Sequence, residues 1–253
     1  MDYKVLYRKY RPSDFNHLVG QNSIKKILVN SIINDKIAHA YIFTGPRGTG
    51  KTSTAKIFAR ALNCLNPKDG ISCGECENCK NVNQNPDIIE LDAASNNSVD
   101  DIRNIVDSVN IAPTNSKYKI YIIDEVHMLS TSAWNAFLKT LEEPPHNVIF
   151  ILATTEIQKV PITVLSRCQR FDFQRIDRNE IKEHLNNICK EEDIKCSEEA
   201  LTEIAFLSDG CMRDALSILD QLSKISDEIT IDIIKENYGT ITDDDIEKIY
   251  EEE

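Results

Sequence analysis

No run of eighteen apolar residues occurs anywhere in this 253-residue chain, which excludes a membrane-spanning helix. Met1-Asp2-Tyr3-Lys4 opens no secretory leader, because the apolar core that a leader needs is missing. Internal repeats and low-complexity segments are also missing, so repeat arrays drop out. Positive charge is scarce: 29 Lys and Arg stand against 41 Asp and Glu, for a net charge of −12. A surface that is basic all over is therefore excluded. Nucleic-acid binding is not, since it depends on where positive charge is concentrated. Much of the excess acid lies late, in Asp243-Asp244-Asp245, Glu247 and Glu251-Glu252-Glu253. What is left, 41% hydrophobic and 28% charged, is the composition of a soluble globular protein, and a cytoplasmic location is expected. The length suits one large domain with a sizeable core and one small domain.

Eight cysteines would suggest disulfides in a secreted chain, but a cytosolic one keeps its thiols reduced. Four of them, Cys64, Cys73, Cys76 and Cys79, fall within sixteen residues. Two successive two-residue gaps let thiolates converge on one ion, and Gly74 relieves the turn between them. Four sulfurs with no open position describe a structural, tetrahedral zinc site. An iron–sulfur cluster is the rival, because cysteine spacing alone separates the two poorly.

The stretch that organises the chain is Gly45-Pro46-Arg47-Gly48-Thr49-Gly50-Lys51-Thr52. A glycine, four spacers, then glycine, lysine and threonine is the phosphate-binding P-loop pattern, set here between an apolar strand, Ala40–Thr44, and a helix, Lys51–Leu62. Its glycines let backbone N–H groups turn inward around phosphate oxygens. The helix N-terminus adds partial positive charge, Lys51 is expected to reach the outer phosphates of ATP or ADP, and the Thr52 hydroxyl to hold Mg2+.

Upstream, an apolar stripe predicts a helix over 23–34. Downstream, a strand is predicted at 87–91 and a helix over 98–110, with Arg103 off its apolar stripe. Lys119 to His127 reads as an apolar strand running into Asp124-Glu125, the expected acidic partner of a P-loop. Asp124 can enter the magnesium shell, and Glu125 can polarise a water for attack on the γ-phosphate. A helix over 131–142 stops at Pro144-Pro145. Val148–Ala153 is apolar throughout, as a central parallel strand should be, and Thr154-Thr155 follows at the end where ligand-binding groups gather. After a short strand at 169–173 the chain changes to amphipathic helices, at 177–192, 197–208, 211–226 and 230–237. The expected fold is α/β: a P-loop domain with a central parallel sheet over residues 1–176, carrying a zinc module at about 64–79. A small all-helical lid follows at 177–240, then the start of a third helical domain at 241–253.

In this order the motifs resemble the AAA+ ATPases and, more narrowly, the motor subunits of the bacterial DNA polymerase III clamp loader. The resemblance runs over essentially the whole chain. It is carried by Tyr7-Arg8-Lys9-Tyr10-Arg11-Pro12 with Val19-Gly20-Gln21, the cysteine module after the P-loop helix, Asp124-Glu125-Val126-His127, Leu141-Glu142-Glu143-Pro144-Pro145, and Ser166-Arg167-Cys168.

The resemblance implies roles that spacing does not supply. Arg11, Pro12 and Val19 would line the adenine pocket, and Thr155 would sense the γ-phosphate. Arg213 would reach the nucleotide from the lid. Arg167 would be an arginine finger, acting in trans on ATP bound by a neighbouring subunit. The implied partners are the other clamp-loader subunits in a five-membered ring, the sliding clamp and primer–template DNA, all in DNA replication. With the third domain cut short, a monomer is the expected state of this chain. The implied activity is ATP hydrolysis driving clamp loading, set against two alternatives. A scaffold that binds ATP without hydrolysing it would have a damaged phosphate loop, whereas Lys51, Thr52, Asp124 and Glu125 are all present. A different AAA+ machine, such as a branch-migration helicase, would lack the zinc module and Ser166-Arg167-Cys168. For DNA contacts the candidates are the helix over 98–110 carrying Arg103 and the first turn of the helix at Thr131-Ser132.

Overall fold

The computed structural model describes residues 3–81, 85–95 and 99–239. Contacts divide the chain into two units: residues 12–174, and residues 175 onward together with those up to Arg11.

The first unit is built on a five-stranded, wholly parallel sheet. Its strands are β1 (Ala40–Thr44), β2 (Ile88–Asp92), β3 (Lys119–Asp124), β4 (Val148–Thr154) and β5 (Gln169–Asp172), in the order β2-β3-β4-β1-β5. β1, β3 and β4 are central and buried on both faces, so their sequences run apolar instead of alternating. Tyr41, Phe43, Ile120, Ile122, Ile149 and Ile151 pack on one face with α2 (Asn22–Ile33) and α3 (Lys51–Leu62). Ile42, Tyr121, Ile123, Phe150 and Leu152 pack on the other with α5 (Val99–Val109) and α6 (Thr131–Glu142). Between α3 and β2 lies a short helix, α4 (Glu77–Lys80), and between β4 and β5 another, α7 (Ile162–Leu165).

The sequence predicts an apolar strand ending in the paired acids, and β3 does end at Asp124. Glu125 takes a left-handed backbone, φ 49°, and its carbonyl accepts from Met128 N at 2.9 Å, so Val126–Met128 coils into a single 3-10 turn. The helix at 131–142 is capped by Ser130, whose hydroxyl accepts from Ala133 N at 3.2 Å. Ser132 instead lies 3.2 Å from the Ser130 hydroxyl.

The second unit packs α8 (Arg178–Glu191), α9 (Glu198–Leu207), α10 (Met212–Leu222) and α11 (Ile231–Tyr238) with the N-terminal α1 (Leu6–Lys9). Asp177 and Ser197 cap α8 and α9, each accepting a backbone N–H of the first turn. A two-stranded parallel pair, β6 (Lys195–Cys196) with β7 (Glu228–Ile229), is too short to leave a periodic signal. The sequence reading places residues 1–176 in one domain, but residues up to Arg11 pack with the second unit. The reason is Asp220, buried in α10: it accepts from Leu6 N at 3.1 Å, from the Tyr3 hydroxyl and from Lys224 Nζ at 2.7 Å. Burial pushes its carboxyl up, and the Lys224, Tyr3 and Leu6 donors outweigh that, holding it below the usual carboxylate range. A buried carboxylate with three donors fixes the segment that brings them. The expected segment 241–253 and Ser98 lie outside the described residues. Among the described residues no helix is long and apolar enough to cross a membrane.

Candidate nucleotide site and candidate metal centre

The parallel sheet brings the ends of β1, β3 and β4 together, and the expected phosphate-handling side chains sit at those ends. Thr44 of β1 is in register with Thr154 of β4, and β3 ends in Asp124. The loop 45–50 leaves β1 and feeds straight into α3, so backbone N–H groups and the helix N-terminus face one small volume. Two glycines are required there. Gly45 has φ 145°, and a Cβ on it would lie 2.3 Å from the Phe173 carbonyl oxygen. Gly50, with φ 99°, closes the loop as the residue before α3. Thr49 Oγ1 donates to Pro46 O at 2.8 Å, fastening the loop to itself.

Lys51 is buried, and its ammonium donates to Gly45 O and Pro46 O at 2.8 Å each, along the inside of the loop. Thr52 Oγ1 donates to Asp124 Oδ2 at 2.5 Å, which joins the two groups expected at magnesium although they are far apart in sequence. Glu125 N donates to Asp124 Oδ1 at 2.9 Å, fixing the pair of acids, while the left-handed turn points the Glu125 side chain along a different path from the strand. Thr155 Oγ1 donates to Glu125 Oε2 at 3.2 Å. Lys51, Thr52, Asp124, Glu125 and Thr155 thus form one constellation.

The other expected residues fall differently. Pro12 and Val19 are half-buried in the first unit, and Arg11 is exposed in the second. Arg213 is exposed in the second unit, its guanidinium 5.1 Å from the Tyr7 ring centroid. Arg47 is exposed at the crest of the loop. Arg167 is docked on its own chain: Nη2 lies 2.7 Å from Glu142 Oε1, and Nη1 donates to Thr163 O at 2.5 Å. Its neighbour Cys168 has its thiol pushed up to about 12 by burial, which makes it packing and not a nucleophile. Arg103 is exposed and paired with Asp100 at 3.1 Å.

Two residues of the site have no sequence signal for their roles. Gln21 lies 153 residues from Gln174 and exchanges two hydrogen bonds with its backbone, Nε2 to Gln174 O at 2.6 Å and Gln174 N to Oε1 at 3.2 Å. Gln21 also reaches the loop carbonyl of Thr49 at 3.4 Å. His127, at the end of the acidic motif, packs against Glu125, Thr154 and Glu156.

The four cysteines gather as one cluster. Their sulfurs all lie within 4.8 Å of one another, with Cys64–Cys76 and Cys73–Cys79 at 4.0 Å. A tetrahedral zinc with Zn–S bonds of about 2.3 Å requires S···S edges of about 3.8 Å, so the set needs almost no movement to close on an ion. Cys73 N points to Cys64 Sγ at 3.2 Å and Cys76 N to Cys73 Sγ at 3.4 Å, the N–H donors that thiolate ligands take up. Backbone N–H groups of Cys76 and Glu75 hold the Cys73 thiol down to about 6, whereas burial pushes Cys79 up to about 12. The donor set therefore fits a metal, which would hold the module together. The module is tied to the sheet by two buried amides. Asn78 Nδ2 donates to Asn63 O at 2.9 Å, and Asn63 exchanges hydrogen bonds of 2.9 and 3.0 Å with the backbone of Tyr118, just before β3. Elemental analysis should find about one zinc per chain, since four thiolates complete one tetrahedral shell. Cys73→Ser should lose the zinc and lower the thermal midpoint. Stoichiometric iron, or no metal in protein purified without chelator, would overturn the zinc assignment.

Comparison with known proteins gives the same direction. Residues 20–177 match the family described as DNA polymerase III, delta subunit, and residues 180–227 match the DNA polymerase III clamp loader subunit, ATPase lid domain. The gamma subunit of DNA polymerase III from Buchnera aphidicola subsp. Baizongia pistaciae is 42% identical over 252 residues, 97% of this chain and 67% of that protein. This chain belongs to the DNA polymerase III gamma/tau family. Within the gamma/tau family, the tau subunit of Bacillus subtilis (strain 168) is 54% identical over 90% of this chain and 41% of its own length. The Escherichia coli (strain K12) tau subunit is 44% identical over 96% and 38%. The chain thus spans about two-fifths of those two relatives. Among solved structures, the Thermotoga maritima RuvB Holliday junction branch migration motor superposes with a TM-score of 0.67 at 21% identity, over 90% of this chain and 71% of that one. That likeness establishes the AAA+ fold, a parallel sheet flanked by helices and followed by a helical lid, and nothing about activity.

Proposed function

We propose that this gamma/tau-family chain is an ATP-binding and ATP-hydrolysing motor, which in its full-length assembly drives loading of a sliding clamp onto primed DNA. The observation that carries the reading is the convergence of Lys51, Thr52, Asp124, Glu125 and Thr155 at the ends of β1, β3 and β4. Loop N–H groups and Lys51 bind the phosphates of ATP, with Lys51 exchanging its loop carbonyls for phosphate oxygens. Mg2+, held by Thr52 and Asp124, would neutralise phosphate charge. Glu125 accepts a proton from the attacking water, and Thr155 orients its carboxylate. A scaffold that only binds nucleotide would not need this complete set of groups.

Arg11, Pro12 and Val19 are assigned to the adenine, Arg213 to the nucleotide phosphates from the lid, and Arg167 to a neighbour's ATP. The partners that follow are the other subunits of the loader, the clamp and primer–template DNA. The test is ATP turnover by the full-length assembly, measured with and without clamp and primed DNA. Turnover is expected alone and should rise when both are added. Absence of turnover under every condition would leave the scaffold reading standing.

A further inference from the structure

We infer that His127 is a positioning residue for Glu125, locked by Thr154 and Glu156 so that its ring walls the Glu125 carboxylate toward Thr155. The inference rests on the reading of Glu125 as the group that receives the water's proton.

The His127 side chain is 8% exposed, and it sits between two carboxylates that are each 35% exposed. Nε2 lies 3.3 Å from Glu156 Oε1. On its other side the ring places Nδ1 3.4 Å from Glu125 Oε2, so it stands between two acceptors. Nδ1 also shares a hydrogen bond of 3.1 Å with the Thr154 hydroxyl. Thr154 Oγ1 in turn accepts from Glu156 N at 3.0 Å. Lys159, 2.8 Å away, holds Glu156 below the usual carboxylate range and keeps it an acceptor. Both ring nitrogens thereby face fixed polar partners, which sets the orientation of the ring.

The consequence falls on Glu125. Its Oε2 lies 3.4 Å from Nδ1. The same oxygen accepts from Thr155 Oγ1 at 3.2 Å. The ring edge on one side and a hydroxyl donor on the other confine the carboxylate. Confinement of a catalytic group is worth rate and not substrate affinity, because the binding groups lie elsewhere in the loop.

The experiment uses the full-length assembly carrying His127→Ala, Glu156→Ala or Glu125→Gln. His127→Ala should lower kcat about 10- to 100-fold, the scale expected when a reacting group loses its placement. The ATP Kd should stay at the wild-type value, and Glu156→Ala should give a smaller loss of the same kind. A second readout does not depend on turnover: in nitrogen NMR of the labelled histidine ring, the His127 signals should move in both Glu156→Ala and Glu125→Gln, since both carboxylates face the ring. Wild-type kcat in His127→Ala overturns the proposal, as does a parallel loss of ATP affinity or a ring signal that Glu125→Gln leaves in place. If His127→Ala fails to fold, Glu156→Ala and the ring spectrum still decide. Failure of the underlying reading looks different: Glu125→Gln would then turn over normally, whatever His127 does.

Discussion

Glu125→Gln should abolish turnover while leaving ATP binding intact. General-base catalysis by a positioned carboxylate is worth about 10²–10⁴-fold, and that is the expected loss in kcat. The amide keeps the size and the hydrogen-bonding reach of the carboxylate, so the Thr155 contact at 3.2 Å can persist. It also leaves Asp124 and Thr52, the expected magnesium groups, joined at 2.5 Å. What the amide lacks is the basic lone pair that takes a proton from water. Lys51→Ala gives the opposite pattern: an ammonium now donating to Gly45 O and Pro46 O at 2.8 Å is removed from the loop, and affinity should fall. Nucleotide affinity by titration and turnover by phosphate release separate the two. Equal loss of affinity in both variants would mean that Glu125 acts on binding and not on chemistry.

Arg167→Ala is expected to be nearly silent in the isolated chain and severe in the assembled ring. In isolation the guanidinium makes a half-exposed ion pair with Glu142 at 2.7 Å, and such pairs contribute about 0–1 kcal/mol. The thermal midpoint should therefore move little. In the assembly, an arginine that meets the transferring phosphoryl group from a neighbour is worth about 10³–10⁵-fold in kcat. For that role the contacts to Glu142 and Thr163 O would have to be exchanged for the neighbour's phosphate. Mixed rings give the decisive measurement. A wild-type subunit whose finger-donating neighbour carries Arg167→Ala should lose turnover at its own bound ATP. Equal loss in single-turnover reactions of the isolated chain would place Arg167 in cis.

The phosphate loop was legible because its glycines answer to strict local sterics, and the helix 131–142 because its apolar positions repeat at 3.6 residues. The cysteine cluster was legible because residues close in sequence can be close in space. Contacts across long sequence separations were not. Nothing local to Gln21 foretells its bonds to Gln174, and nothing near Leu6 announces that its backbone N–H ends on Asp220. His127 stood in the motif in plain view, but its partners Thr154 and Glu156 lie at and just past the end of β4, and only sheet register brings them together. The turn that follows β3 was not legible for a related reason. Hydrophobicity continues through Val126, while the chain turns at Glu125 through a backbone conformation that composition does not encode.

The outer strands β2 and β5 carry charge within their spans, whereas β1 and β4 carry none and β3 only at its two ends, Lys119 and Asp124. Glu90 on β2 is paired with Lys56 at 2.5 Å, and Arg170 on β5 with Asp172 at 2.7 Å. A foreign strand docking on either margin would have to dehydrate those ions, and such charges are how proteins deter runaway sheet growth. A polypeptide that must sit close to copies or relatives of itself is exposed to that hazard at high local concentration. Charged margins of this kind disfavour fusion of one copy's sheet with another's, even where copies are crowded together.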